Sequence, residues 1–428
     1  MNRLGWIDAP EVSRGQWPDL AAFAAGARRD GLTRVLLCGM GGSSLAPAVL
    51  AHAFGGAAVD ILDSTDPGAV LDAERRAPLE RTLFVIASKS GTTVETLAAY
   101  HYFARRAPPQ QFVAVTDPGS PLESLAQRAA FRSIFAHPPD VGGRYAALTV
   151  VGMLPAALLG VDGAELLARA LRVDVEAARR FGRGVAARAL AGRDKLVLRP
   201  PPPVARLADW VEQLVAESSG KEGKGVIPVV GAAVATPDVQ TVTEFSADPL
   251  DLGAEFLRWE YATWALCEQL GVNAFDQPDV ETAKAFAREP AAPMPPTLSP
   301  AELRSAARPG DYVAILAYLP PRPAVARALE GVRAAWGEAL GCVATSAFGP
   351  RYLHSTGQLH KGGPNTGLFL VVTADDAEDV EIPEMGRKFG DLKRAQAVGD
   401  VRALLAKGRR VAHAHLSDPQ ELGRLALP

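Results

Sequence analysis

The feature that most constrains this chain is an alternation, from about residue 34 onward, of short apolar runs with segments of helical period. Residues 34–38, 58–62, 83–87 and 112–116 each read as a buried strand, followed by a turn of small residues and then a helical pattern. Continuous apolar strands alternating with helices predict a parallel sheet covered on both faces. A second such rhythm follows, with strands expected over 195–198, 225–230, 312–316, 342–346 and 366–373. Between the two, residues 163–192 are rich in Ala, Arg, Leu and Glu and read as long helices. The expected fold is α/β: two doubly wound parallel-sheet domains linked by helices. The boundaries expected are 1–30 for an N-terminal arm, 31–185 for the first domain and 186–428 for the second. In such sheets ligands bind at the carboxyl ends of the strands, so the turns that follow them are where chemistry is sought.

At 428 residues the chain is long enough for more than one core. Its net charge of -3, without a basic run, makes nucleic acid and anionic membrane poor partners. The N-terminus lacks the apolar core of a secretory signal. Apolar runs such as 148–159 are too short, and too broken by Gly and Pro, to span a bilayer. Cys38, Cys267 and Cys342 are widely spaced and suit reduced thiols rather than a disulfide framework. A soluble, cytoplasmic protein is expected.

Two turns look built for an anion. The first, Gly39-Met40-Gly41-Gly42-Ser43-Ser44, directly follows a strand. Glycines let backbone N–H groups approach a phosphate at the start of the next helix. The same turn begins a GxGxxG dinucleotide pattern, with Asp63 at the distance of a ribose contact, but Ser44 stands where the third glycine belongs. The second turn is Ser88-Lys89-Ser90-Gly91-Thr92-Thr93. One hydroxyl residue is an ordinary helix cap. Several hydroxyls beside a lysine and a glycine suit a phosphate monoester, which accepts many hydrogen bonds and carries close to two charges.

Residues 205–220 form an amphipathic helical pattern with apolar positions at Leu207, Trp210, Val211, Leu214 and Val215. Gln213 and Glu217, four apart, share one flank of it, and Ser218-Ser219-Gly220-Lys221 ends it. A carboxylate in the field of the last helix carbonyls suits a proton carrier, although Lys221 and Lys224 oppose that field.

These segments, with Gly142-Gly143-Arg144-Tyr145 and the run from Asn273 to Lys284 (NAFDQPDVETAK), resemble glucose-6-phosphate isomerases in content and order. Glu217-Ser218-Ser219-Gly220-Lys221 and the run from His354 to Asn365 (HSTGQLHKGGPN) resemble the isomerase half of fused transaldolase–isomerase enzymes, with no transaldolase portion expected here. The resemblance implies two sugar-isomerase-type (SIS) domains and a metal-free, cofactor-free aldose–ketose isomerase. It would interconvert glucose 6-phosphate and fructose 6-phosphate through a cis-enediolate. Glu217 would be the base, Arg144 the stabiliser of the enediolate, and Gln213 a substrate-positioning residue. Ser88, Ser90 and Thr93 would bind the phosphate, with Lys89 and Thr92 in the same turn, while Gly42 and Ser43 would line the sugar. Lys284 would sit near the ring oxygen, and His360 would open the ring, with His354 as its competitor. The resemblance also implies a homodimer.

The other histidines carry less. His52, His101 and His137 stand alone, and His413 and His415 share a strand face without a third metal ligand close in sequence. Three alternatives remain: an isomerase acting on both glucose and mannose 6-phosphates, a non-catalytic sugar-phosphate sensor, and a dinucleotide-dependent oxidoreductase.

Overall fold

A computed structural model describes residues 3–56, 58–231, 234–279 and 292–426. The expected strands form. β1 (Arg34–Gly39), β2 (Val59–Leu62), β3 (Thr82–Ala87), β4 (Phe112–Thr116) and β5 (Ser133–Ala136) make a parallel sheet in the order β2-β1-β3-β4-β5. After residue 190 the strands fall into two further parallel sheets. One contains β6 (Lys195–Leu198), β7 (Ile227–Val230) and β8 (Val239–Val242), in the order β7-β6-β8. The other contains β9 (Tyr312–Tyr318), β10 (Val343–Phe348), β11 (Gly367–Ala374) and, as its last strand, β14 (Arg410–Leu416), in the order β10-β9-β11-β14. A small antiparallel hairpin, β12 (Glu381–Ile382) with β13 (Arg387–Lys388), stands apart.

Burial follows the two-residue strand period. In the first sheet Val35, Leu37, Leu83 and Val85 join one apolar cluster, while Leu36, Cys38, Phe84 and Ile86 join another on the opposite face. In β9, Tyr312, Ala314 and Leu316 face one cluster, and Val313, Ile315 and Ala317 face the next. Helices therefore cover both faces of each large sheet, and the strand sequences need no polar alternation.

The helix Leu207–Ser219 lies between these layers. Its Leu207, Trp210, Val211, Leu214 and Val215 belong to the cluster that also covers β1 and β3, while Ala216 packs with β9 and β11. Burial on both sides fixes the helix rotation, and with it the direction of Gln213 and Glu217. Among the described residues, no helix is long and apolar enough to cross a membrane.

Candidate active site

The strand order reverses between β1 and β3: the chain steps from β1 outward to β2, and from β3 outward to β4 and β5. Both anion loops leave the carboxyl ends of these two neighbours, so they flank the crevice where such sheets bind ligands. The first loop enters the helix Gly42–Ala53 through Gly41 at φ +56°. A Cβ at Gly41 would meet the His354 carbonyl oxygen at 2.5 Å and the Gln213 amide nitrogen at 2.9 Å. A Cβ at Gly42 would meet the Gly143 carbonyl oxygen at 2.0 Å. These glycines are thus required by the packing of the Arg144 turn, the Gln213 side chain and the His354 segment around the first loop. Ser43 is half-buried on the first turn of the same helix.

In the second loop, Ser88 Oγ lies 2.8 Å from Thr93 Oγ1, and Ser90 Oγ lies 2.9 Å from Thr92 Oγ1. Ser90 and Thr92 are exposed, and Thr93 caps the helix Val94–Ala104 without a side-chain cap bond. Lys89 departs from this group. Its ammonium donates to Asp117 at 2.6 Å and to the Pro139 carbonyl at 3.2 Å, which tethers the end of β3 to the loops after β4 and β5.

Glu217 is 9% exposed and held from two sides. Its Oε1 is 3.1 Å from Arg144 Nη1, and its Oε2 accepts from Gln213 Nε2 at 2.9 Å. The same Gln213 nitrogen donates to the His354 carbonyl at 2.8 Å, while Gln213 Oε1 is buried without a hydrogen-bond partner among the described residues. That oxygen is an acceptor available to a bound hydroxyl.

Arg144 sits on the turn Gly143–Tyr145 and is itself clamped. Nε donates to Ser218 Oγ at 2.9 Å, Nη2 to the carbonyls of Ala274 at 2.6 Å and Asp276 at 3.1 Å, and Nη1 to Gln277 Oε1 at 3.4 Å. The 273–277 segment also binds Lys221, which pairs with Asp276 at 2.7 Å. Burial, with the Arg144 cation nearby, pulls the Lys221 ammonium below the ordinary lysine value. The guanidinium is thus a fixed charge facing the Glu217 carboxylate, in a setting where stabilising developing negative charge would require no reorganisation.

The two candidate histidines separate clearly. His354 Nε2 is 2.8 Å from the Oε1 of Glu95, a buried carboxylate in the first turn after the second anion loop. His360 is 3% exposed, its ring packed against Phe369 with centroids 5.2 Å apart, and its Nδ1 has no partner among the described residues. Burial, with the Lys361 and Arg409 cations nearby, holds it well below the ordinary histidine value. Geometry therefore brings together Gly41, Gly42, Arg144, Gln213, Glu217 and His354 and leaves His360 in the core. Lys284 lies outside the described residues.

Glu95 was not among the residues singled out from sequence. An acidic side chain opening the helix behind an anion loop is electrostatically awkward, and that awkwardness was the available signal. Asp63, the candidate ribose contact, faces Arg351 at 3.5 Å. His413 and His415 both contact Thr373 Oγ1, at 2.8 and 2.9 Å. Among the described residues no group of three or more His, Cys, Asp or Glu is placed to hold a metal ion.

Comparison with known proteins bears on this geometry. Residues 11–178 match the phosphoglucose isomerase family, a stretch that carries both anion loops and Arg144. This chain resembles glucose-6-phosphate isomerases. The glucose-6-phosphate isomerase of Symbiobacterium thermophilum is 29% identical over 280 residues, covering 56% of this chain and 60% of its own length. That of Rubrobacter xylanophilus is 33% identical over 247 residues, covering 49% and 55% respectively. The chain thus spans about 60% or less of the length of these curated relatives. A glucose-6-phosphate isomerase structure from Chlamydia trachomatis aligns with a TM-score of 0.53 at 20% identity, over 64% of this chain and 72% of that one, a likeness of fold.

Proposed function

We propose that this chain is an aldose–ketose isomerase interconverting glucose 6-phosphate and fructose 6-phosphate through a cis-enediolate. The observation that carries the reading is the Glu217 carboxylate, held between Arg144 and Gln213 beside two loops suited to a phosphate. In this reading the Ser88–Thr93 turn holds the 6-phosphate, and Gln213 Oε1 accepts from a sugar hydroxyl. Glu217 takes the C2 proton of the open-chain aldose and returns it to C1. Arg144 faces the oxygen charge that develops between the two transfers. Holding base, cation and substrate together makes the proton transfer effectively intramolecular.

Ring opening needs a group that moves a proton between the ring oxygen and the anomeric hydroxyl. His354 suits this better than His360, because its Nε2 is committed to Glu95 and its carbonyl is tied to Gln213. The Nδ1 atom then serves as the exchanging nitrogen, in the manner of a carboxylate-oriented imidazole. The homodimer rests on the resemblance, and the cytoplasmic setting on the widely spaced cysteines.

The test is a coupled assay on chelator-treated protein, offering fructose 6-phosphate and reading glucose 6-phosphate. Turnover that is lost in Glu217→Gln and in His354→Ala, and kept in His360→Leu, supports the reading. Binding of sugar phosphate without turnover would favour a sensor, and turnover with mannose 6-phosphate would widen the substrate range.

A further inference from the structure

Behind the His354–Glu95 pair lies a side chain from a distant part of the chain. Gln396, on the helix Phe389–Ala406, is 3% exposed. Its amide nitrogen donates at 2.7 Å to Glu95 Oε1, the same oxygen that meets His354 Nε2. Its amide oxygen accepts at 2.7 Å from Thr65 Oγ1, in the loop after β2, and Thr65 is fully buried. A carboxylate accepts hydrogen bonds and does not donate them, so Glu95 fixes which end of the amide faces it, and Thr65 occupies the other end. One turn back along the same helix, Lys393 pairs at 2.8 Å with Asp66, the neighbour of Thr65. The loop and the helix are thus joined twice, and Gln396 has one orientation open to it.

We propose that Gln396, oriented by Thr65, is a positioning residue for the Glu95–His354 pair, and holds the imidazole in the single tautomer that ring opening requires. The inference rests on the assignment of ring opening to His354. Its physical basis is that Glu95 is buried, and a buried carboxylate stays ionised and stationary only while donors satisfy it. With Gln396 in place, the Glu95 oxygen is pinned where it accepts a hydrogen bond from the Nε2–H of His354, leaving the Nδ1 lone pair free for proton exchange. Without it the carboxylate can turn, and both tautomers become accessible.

The experiment uses the full chain with nitrogen-15-labelled histidine, and His354→Asn to assign the His354 signals. Nitrogen shifts of the free protein are recorded for wild type, Gln396→Met and Thr65→Val. Exchange between the anomers of glucose 6-phosphate is followed in parallel by NMR. Expected results are a single Nε2–H tautomer in wild type, a mixture in Gln396→Met, and an intermediate state in Thr65→Val. Anomer exchange should fall about 10- to 100-fold in Gln396→Met, the scale of a mispositioned reacting group, with KM nearly unchanged. A wild-type tautomer signature in both variants would overturn the proposal. So would a KM that rises in step with the loss of kcat. If Gln396→Met fails to fold, Thr65→Val carries the test, since removal of one hydroxyl leaves shape and volume nearly intact. The nitrogen spectra need no turnover, so a wild type without isomerase activity would count against the proposed function and leave the tautomer result to be read separately.

Discussion

In the proposed reaction, Glu217 is the side chain that divides binding from chemistry. Its neighbours Arg144 and Gln213 are anchored by other contacts, and the two loops proposed for the phosphate sit on separate elements. Glu217→Gln should therefore lower kcat by about 10²–10⁴-fold, the usual contribution of a positioned base. Affinity for sugar phosphate, read by calorimetry, should change little. His360 offers a second residue-scale test. Its folded-state value lies well below 6.5, so the folded form stays neutral while the unfolded chain takes up a proton below pH 6.5. Stability is then intact above 6.5 and is lost as pH falls toward the folded value, by up to about 1.4 kcal/mol per pH unit. Urea unfolding at pH 7.5 and 5.5 should show His360→Leu losing less stability between the two than wild type. That Glu217, Arg144 and Gln213 belong together was legible in sequence because each sits in a dense local motif, and the three side chains do meet. The different surroundings of His354 and His360 were not, because the two share one short segment and tertiary packing decides which is buried. Glu95 has local context but takes its meaning from His354, 259 residues away, and Gln396 has no local signal at all.

Among the elements, the fully buried strands were the readable ones. β3, β4 and β9 are buried at every position and apolar but for Thr82 and Thr116 at strand ends, so a continuous apolar run marks them. β5 and β8 escaped notice for the opposite reason. Both are edge strands, half-buried or alternating, and Ser133-Ile134-Phe135-Ala136 and Val239-Gln240-Thr241-Val242 are too short to stand out from loop sequence. The helix Leu252–Leu270 carries an element-scale prediction. Its Glu260 is 0% exposed, and neither carboxyl oxygen has a hydrogen-bond partner among the described residues. Burial raises it well above the ordinary carboxylate value, because an unmatched charge is disfavoured in the interior. A group of this kind favours the folded state below pH 4.5, and the benefit is lost as pH rises toward the folded value. Glu260→Met should therefore stabilise the protein at pH 7 by about 1–3 kcal/mol, the cost of an unmatched buried polar group. The gain should shrink at pH 4, as read by urea unfolding at both pH values.

For the whole molecule, charge buried between layers matters more than surface pairs. Lys361 Nζ lies 2.5 Å from Asp400 Oδ1, with both side chains almost wholly removed from solvent, and Tyr352 donates to the other carboxylate oxygen at 2.6 Å. Removing one member strands the other in a low-dielectric interior. Asp400→Ala should cost about 3–5 kcal/mol in urea unfolding. Arg14 and Glu11 form an ion pair with both side chains more than half exposed, and Glu11→Ala should change stability by less than about 1 kcal/mol.

The bonds from the loop after β2 to the last long helix have a further consequence, for the order in which the protein can be made. Thr65 and Gln396 are 331 residues apart, and Asp66 and Lys393 are 327 apart. A chain emerging from the ribosome exposes Asp66 and Glu95 long before the residues that neutralise or orient them exist. A first sheet formed at that stage would hold Asp66 with only its local bond from the Ala69 N–H, and Glu95 without its later partners His354 and Gln396. Contacts closed over such spans form late. The surroundings of His354 thus close only once residue 396 has emerged, and a nascent chain halted before that point would lack the Gln396 bond to Glu95.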